Sequence, residues 1–224
     1  DEKIYLKVFS NEKQNIRLPY PEGWYQKEYH PASDLYILLL SREEVKNEFD
    51  SYAASINFLK QGNQVQFEGL TSEERLDQLQ NILNQQIKGL TSKNVKVEET
   101  QEIIFDGEPA ILKIVSCEGT GYKKQFYKKV YYYLATMKDT TFVQFGVEVP
   151  ASEYQYYRPI FDEILRRSQV FSPLDNLPET ISVVISKTKT LKTVPSDDVD
   201  QSVSGKKMRV KLDLQYSDIN LLAK

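Results

Sequence analysis

The residues that could do chemistry are few: the 224-residue chain holds one His, one Cys and one Trp. His30 stands two residues after Glu28 and four before Asp34. An imidazole titrates near neutrality, so this spacing could supply a general base or a metal ligand. The same residues form Tyr29-His-Pro-Ala-Ser-Asp34, which reads as a turn, and a surface imidazole in a turn needs no chemical role. Cys117 closes the apolar run Ile111-Leu-Lys-Ile-Val-Ser-Cys117 and reads as a buried thiol, with no His near it in sequence to activate it. A single His and a single Cys exclude a three-histidine or four-cysteine metal site and any internal disulfide.

Carboxylates are plentiful. Glu43-Glu44, Glu98-Glu99 and Asp197-Asp198 are charged pairs of the kind that decorate solvated loops. Asp197, Asp198 and Asp200 lack the Gly and Glu that complete a calcium-binding loop of the EF-hand type. No Gly-x-Ser-x-Gly elbow, dinucleotide fingerprint or P-loop is present, and Gly119-Thr-Gly121 precedes a strand rather than a helix. No metal site and no cofactor are expected.

The densest constellation is Tyr122-Lys-Lys-Gln-Phe-Tyr-Lys-Lys-Val-Tyr-Tyr-Tyr133. On a strand, Phe126, Val130, Tyr132 and Leu134 share one face, while Tyr127, Lys129, Tyr131 and Tyr133 share the other. Interleaved bases and aromatics resemble a single-strand nucleic-acid platform. However, 29 basic residues against 32 acidic ones give a net charge of −3, and the RRM consensus is missing. The expectation is therefore no nucleic acid, and a strand buried on one side whose second face carries Tyr127, Lys129, Tyr131 and Tyr133 as candidate contacts for a protein or sugar-like ligand.

Behind these residues stands a globular composition, 40% hydrophobic and 27% charged. No stretch approaches the eighteen or so apolar residues of a membrane helix. The chain starts at Asp1 rather than Met, so removal of an upstream segment is expected.

Periodicity places the supporting elements. Ile4, Leu6 and Val8 alternate as a short strand. Ile16 to Trp24 reads as an edge strand broken by Pro19 and Pro21, with Trp24 anchoring the turn. Leu35 to Ser41 and Tyr52 to Lys60 are strands, and Gln61 to Leu70, polar with two glycines, is expected to be a mobile hairpin or loop. Thr71 and Glu74 make a capping box for a helix with the stripe Leu76, Leu79, Ile82, Leu83, Ile87 and a left-handed stop at Gly89. Val95 to Phe105, Ala110 to Cys117, Tyr122 to Met137 and Thr141 to Val149 form a four-strand meander, with Asp106-Gly107 as its first hairpin turn. In the last strand Val143, Phe145, Val147 and Val149 point inward. Ser152 and Gln155 suggest a second capping box. Pro159 predicts a short turn from Glu153 to Tyr157, then a main helix to about Ser168 with the stripe Ile160, Phe161, Ile164, Leu165. Two helices leave part of a large sheet for loops to cover. Beyond the Ser172-to-Pro178 linker, Thr180 to Val194 and the strictly alternating Lys207 to Tyr216 predict a two-stranded ribbon.

Three segments, Leu18-Pro-Tyr-Pro-Glu-Gly-Trp24, Phe105-Asp-Gly-Glu-Pro-Ala110 and Tyr157-Arg-Pro-Ile-Phe-Asp-Glu-Ile-Leu-Arg-Arg-Ser168, resemble the PsbP-like superfamily in order and spacing. That superfamily includes the PsbP, Ran-binding Mog and bacterial DcrB-like proteins. The resemblance covers about residues 10 to 172. It implies an α+β fold, an α/β/α sandwich with a central antiparallel sheet, and a non-enzymatic binding or assembly role. The bacterial branch implies an exported or lipid-anchored protein, with the cytoplasm as the alternative. The expected organisation is a domain over residues 1–172 and a linker plus β-hairpin extension over 173–224, docked or part of a second domain. The expected partner is a protein or small ligand, with a membrane tether through the removed segment. A rival expectation is a small-molecule hydrolase or ligand-binding enzyme with a deep cleft near His30 and the carboxylates of the Trp24 turn.

Overall fold

The computed structural model describes residues 2–46, 52–174 and 178–185. Among the described residues ten strands and two α-helices follow one another: β1 Glu2–Asn11, β2 Ile16–Pro21, β3 Tyr25–Ala32, β4 Leu35–Ser41, β5 Ser55–Gln61, α1 Ser72–Lys88, β6 Lys93–Phe105, β7 Glu108–Thr120, β8 Phe126–Lys138, β9 Thr141–Pro150, α2 Tyr154–Arg167 and β10 Thr180–Ile185. Seven strands form the main sheet in the order β3-β4-β5-β9-β8-β7-β6, and a small sheet has the order β10-β1-β2. Every neighbouring pair is antiparallel. The fold is α+β: a central antiparallel sheet with helices on both faces.

Each face of the main sheet has its own core. Leu38, Ile56, Phe58, Leu134, Val143, Phe145, Val147 and Val149 pack with Ile160, Phe161, Ile164 and Leu165 of α2 and with Leu6, Leu18 and Ile181 of the small sheet. Opposite, Leu79, Leu83 and Ile87 of α1 pack on Ile111, Val115, Tyr133, Ala135 and Met137. The small sheet, rather than loops, completes the cover on the α2 side. Pro19 and Pro21 pair only with β1 within their sheet, as their missing donors require. Trp24 pins the following turn with its ring 5.9 Å from that of Tyr157.

The α1 capping box forms as expected, with Thr71 Oγ1 accepting from the Glu74 amide and Glu74 accepting from the Thr71 amide. Gly89 does not supply a left-handed stop, because its φ of −76° is right-handed and its amide closes onto the last-turn carbonyls instead. The second capping box is absent: a 3-10 turn, Ala151–Glu153, leads directly into α2, which runs unbroken through Pro159. Burial of Tyr157, Ile160, Phe161, Ile164 and Leu165, each contributing about 1.5–3 kcal/mol, outweighs the one intrahelical bond that proline removes.

Other expectations need correction. Tyr29 to Asp34 is not simply a turn, because β3 runs through His30 to Ala32 as an edge strand of the main sheet. The loop from Gln61 to Leu70 contains a 3-10 turn, Val65–Phe67, that buries Phe67 under α1. Tyr122 does not open β8, since a 3-10 turn over Tyr122–Lys124 comes first. Of the expected ribbon, β10 adds to β1 in the small sheet. Its partner Lys207 to Tyr216 lies outside the described residues, as do Asp197, Asp198 and Asp200.

Candidate functional site

Alternation on β8 sends Val130, Tyr132 and Leu134 into the α2-side core and turns Tyr127, Lys129, Tyr131 and Tyr133 to the α1 side. Phe126, on the first of these faces, is at the hairpin tip and 59% exposed. Among the described residues α1 packs mainly on β7 and β8, and the same sheet face continues past it onto β9, β5 and β4. The residues there are mostly polar or small, Ser55 and Asn57 on β5 and Gln144, Gly146 and Glu148 on β9, with the apolar Leu39 of β4 and Leu59 of β5 beside them. Together with Tyr131, Tyr133, Gln86 of α1 and Tyr52 they line a cleft of about 330 Å³. That is the lower end of the range for small-ligand pockets, about 300–1,000 Å³.

The four tyrosine-and-lysine positions serve different surroundings. Tyr131 and Tyr133 line the cleft, their rings stacked 5.4 Å apart with planes 15° from parallel. Tyr127 lines a neighbouring groove of about 440 Å³ with Arg42, Tyr122 and Glu153. Lys129 lies between them and is 3% exposed. Its ammonium pairs with Glu148 at 2.8 Å, donates to the Thr120 carbonyl at 3.0 Å, and sits 5.3 Å over the Tyr127 ring. The face is therefore not an open sheet surface with hydroxyls reaching water. Lys129 and Tyr133 are interior residues, held under α1 and the β7–β8 turn.

Gly121 permits that turn. A Cβ there would come within 2.4 Å of the Tyr127 hydroxyl, which accepts from the Tyr122 amide at 3.4 Å. Only a residue without a side chain lets the ring lie across the backbone.

Burial, then the nearby Glu148 charge, pushes the Tyr131 and Tyr133 phenols above their ordinary range. Tyr127 is pushed up to about 12, chiefly by burial. These phenols stay neutral hydrogen-bonding groups at physiological pH. Cys117, 3% exposed behind the same cluster, has its thiol pushed up by burial and is a packing residue.

His30 is exposed on β3, its ring 5.1 Å from that of Tyr36, at the rim of a hollow of about 200 Å³ that Gln14, Asp34 and Lys60 also line. Glu28, the carboxylate nearest it in sequence, accepts instead from the Tyr36 hydroxyl at 2.9 Å and the Asn11 amide at 2.8 Å. The deep cleft required by the hydrolase expectation is not built around this imidazole. Among the described residues no three His, Cys, Asp or Glu side chains cluster to hold a metal, and no helix is long and apolar enough to cross a membrane.

Sequence reasoning missed Glu148, Asn57, Gln144 and Gln86. The signal was present in β9, where Gln144, Gly146 and Glu148 alternate with the core-facing valines and phenylalanine. A polar set on a central strand reads as solvent-facing until the helix beside it is known.

No family model and no curated protein matches the chain. Among solved structures it is similar to cyanobacterial PsbP (CyanoP) from Synechocystis sp. PCC 6803, with TM-score 0.49 and 12% identity over 74% of this chain and 92% of that one. It is also similar to PA94 of Pseudomonas aeruginosa, a protein of unknown function described as a putative regulator, with TM-score 0.39 and 10% identity over 77% of this chain and 98% of that one. The α+β assignment rests on the strand order and layering of the chain itself.

Proposed function

We propose that the protein is a non-catalytic binding module, exported or lipid-anchored, that holds a ligand or partner segment in the cleft between α1 and strands β8, β9 and β5. The observation that carries this reading is the arrangement of the cleft. None of the described residues lining it is a cation, Glu148 is held by the buried Lys129, the Tyr131 and Tyr133 phenols are held neutral, and its other polar groups are the amides of Asn57, Gln86 and Gln144 with the hydroxyls of Ser55 and Tyr52, a set suited to hydrogen-bonding a ligand. What supports extracytoplasmic placement is the resemblance of the three sequence segments to the PsbP-like superfamily, and fractionating source cells tests it.

The test uses fractionated source extract, with thermal melting of the full chain and mass spectrometry of what stays bound. A fraction that raises the melting temperature of the wild type but not of Gly146→Leu, and whose ligand is recovered chemically unchanged, supports the reading. Cleft-dependent conversion of the ligand to product overturns it.

A further inference from the structure

The geometry points to a neutral polyhydroxylated ligand, a saccharide unit, as the occupant of the cleft over Gly146; this deepens the binding-module reading and rests on it. Gly146 is the starting point. It lies inside β9, registered between Asn57 of β5 and Tyr133 of β8. A glycine inside a strand costs about 0.5–1 kcal/mol relative to Ala. Its conformation does not demand glycine, because its φ lies outside the left-handed region. Packing does not demand it either: a Cβ would meet Tyr133 at 3.7 Å and the Asn57 carbonyl at 3.9 Å, both ordinary contacts. What a side chain would remove is the floor of the cleft. Such glycines mark places where a ligand approaches the backbone closely.

The chemistry of the walls selects the ligand. Asn57, Gln86 and Gln144 are amides, each offering a donor and an acceptor side by side. The Gln144-to-Gln86 bond of 2.9 Å uses one polar atom of each. Paired donor and acceptor atoms match a vicinal diol, whose hydroxyls both give and receive. Tyr131, with the buried Tyr133 stacked on it, gives an aromatic wall that suits the C–H face of a sugar ring and loses little side-chain entropy on contact.

Other classes fit less well. An anion would need a cation facing the cleft, but Lys129 is held internally by Glu148 and Thr120. A cation would have to draw Glu148 from that buried pair. An apolar ligand would find Leu39 and Leu59 but would cover the Asn57 amide and the polar atoms that the Gln144–Gln86 bond leaves over, at about 1–3 kcal/mol for each group left unsatisfied.

The experiment screens the full chain on an array of neutral glycans with uronic-acid and amino-sugar analogues, followed by calorimetric titration of the hits. A neutral glycan is expected to bind, with its charged analogues at least tenfold weaker. Gly146→Leu is expected to abolish binding, and Asn57→Ala to weaken it about tenfold. Asn57 is an exposed side chain, so its variant keeps the fold even where Gly146→Leu does not. Binding that both folded variants retain overturns the proposal. No binding to any neutral glycan also overturns it. In that case an extract ligand of another class that stabilises the wild type and not Gly146→Leu leaves the binding-module reading standing, whereas no stabilising fraction at all removes both.

Discussion

The Lys129 ammonium lies 2.8 Å from the Glu148 carboxylate on the neighbouring strand, with 4% and 17% of the two side chains exposed. This pair separates the cleft lined by Tyr131 and Tyr133 from the groove lined by Tyr127. Buried ion pairs add little net stability, but removing one partner strands the other charge. Lys129 is the more deeply buried, so Glu148→Gln leaves an ammonium facing only neutral oxygens. The expected loss is roughly 2–4 kcal/mol by urea unfolding, below the top of the usual range because Glu148 keeps some water. The double change Lys129→Met with Glu148→Leu should recover most of it. A double variant no more stable than Glu148→Gln would assign the cost to lost shape rather than to the stranded charge.

Asp106 joins two segments that sequence keeps far apart. It sits at φ 46°, followed by Gly107 at φ 85°, in the β6–β7 turn. Its Oδ2 accepts the backbone N–H groups of Val170 and Phe171 at 2.6 Å and of Ser172 at 3.1 Å, and its Oδ1 accepts the Ser172 hydroxyl. One carboxylate thus fixes the chain leaving α2, beside the Arg17–Gln169 bridge to β2. Hydrogen bonds to a charged group contribute about 1.5–3 kcal/mol each, but bonds sharing one acceptor do not add fully. Asp106→Ala should cost roughly 2–4 kcal/mol. Asp106→Asn should cost less, because Asn also tolerates a positive φ and keeps one acceptor. Equal losses in the two variants would show that the acceptor and backbone tolerance kept by Asn contribute nothing, and would assign the whole effect to the charge.

These two sites mark how far the sequence could be read. Local signals were legible: the Thr71–Glu74 box, the α1 stripe, and the Asp106-Gly107 turn with its alternating strands. Each depends on residues within a few positions of one another. β3 was not legible, because all of Tyr25–Ala32 except Tyr29 is exposed and an edge strand wet on both faces has no apolar period to show. The unbroken start of α2 was hidden by Pro159, whose local cost tertiary burial overrides. At the site, the shared face of Tyr127, Lys129, Tyr131 and Tyr133 followed from strand period alone. Its enclosure did not, since the walls come from β5, β8, β9 and α1. The second role of Asp106 was equally invisible, with its partners 64 to 66 positions away.

Alkaline pH should weaken the fold. Burial raises the phenol pKa of Tyr131, Tyr132 and Tyr133, helped by the Glu148 charge for the first and last and by Asp162 for Tyr132. For an acid whose folded pKa lies above its unfolded value, the protonated form favours the fold. The stability is complete below an unfolded phenol pKa of about 10 and is lost as pH rises beyond it. Buried Lys113, bonded to Asn84 at 2.8 Å, acts in the opposite sense. Its pKa is lowered from 10.5 by desolvation, so it adds stability as pH climbs towards that value and nothing above it. Urea midpoints should therefore fall above about pH 10.5, with tyrosinate absorbance for these three rings appearing only as the protein unfolds. Full tyrosinate absorbance near pH 10 with an unchanged midpoint would contradict the burial of all three.

Gly146 gives the last prediction, because stability and binding should move in opposite directions there. A Cβ fits at ordinary contact distances and φ is not left-handed, so Gly146→Ala should lower the entropy of the unfolded chain without straining the strand. The gain should be about 0.4–1 kcal/mol, a rise of roughly 1–4 °C in Tm for a chain of this size. The same methyl group reduces the floor of a cleft of about 330 Å³ and should weaken whatever binds there. Differential scanning calorimetry decides the first half. A variant less stable than the wild type would mean that β9 needs glycine for packing, and the clearance over it would then be a by-product of the fold rather than a feature of the site.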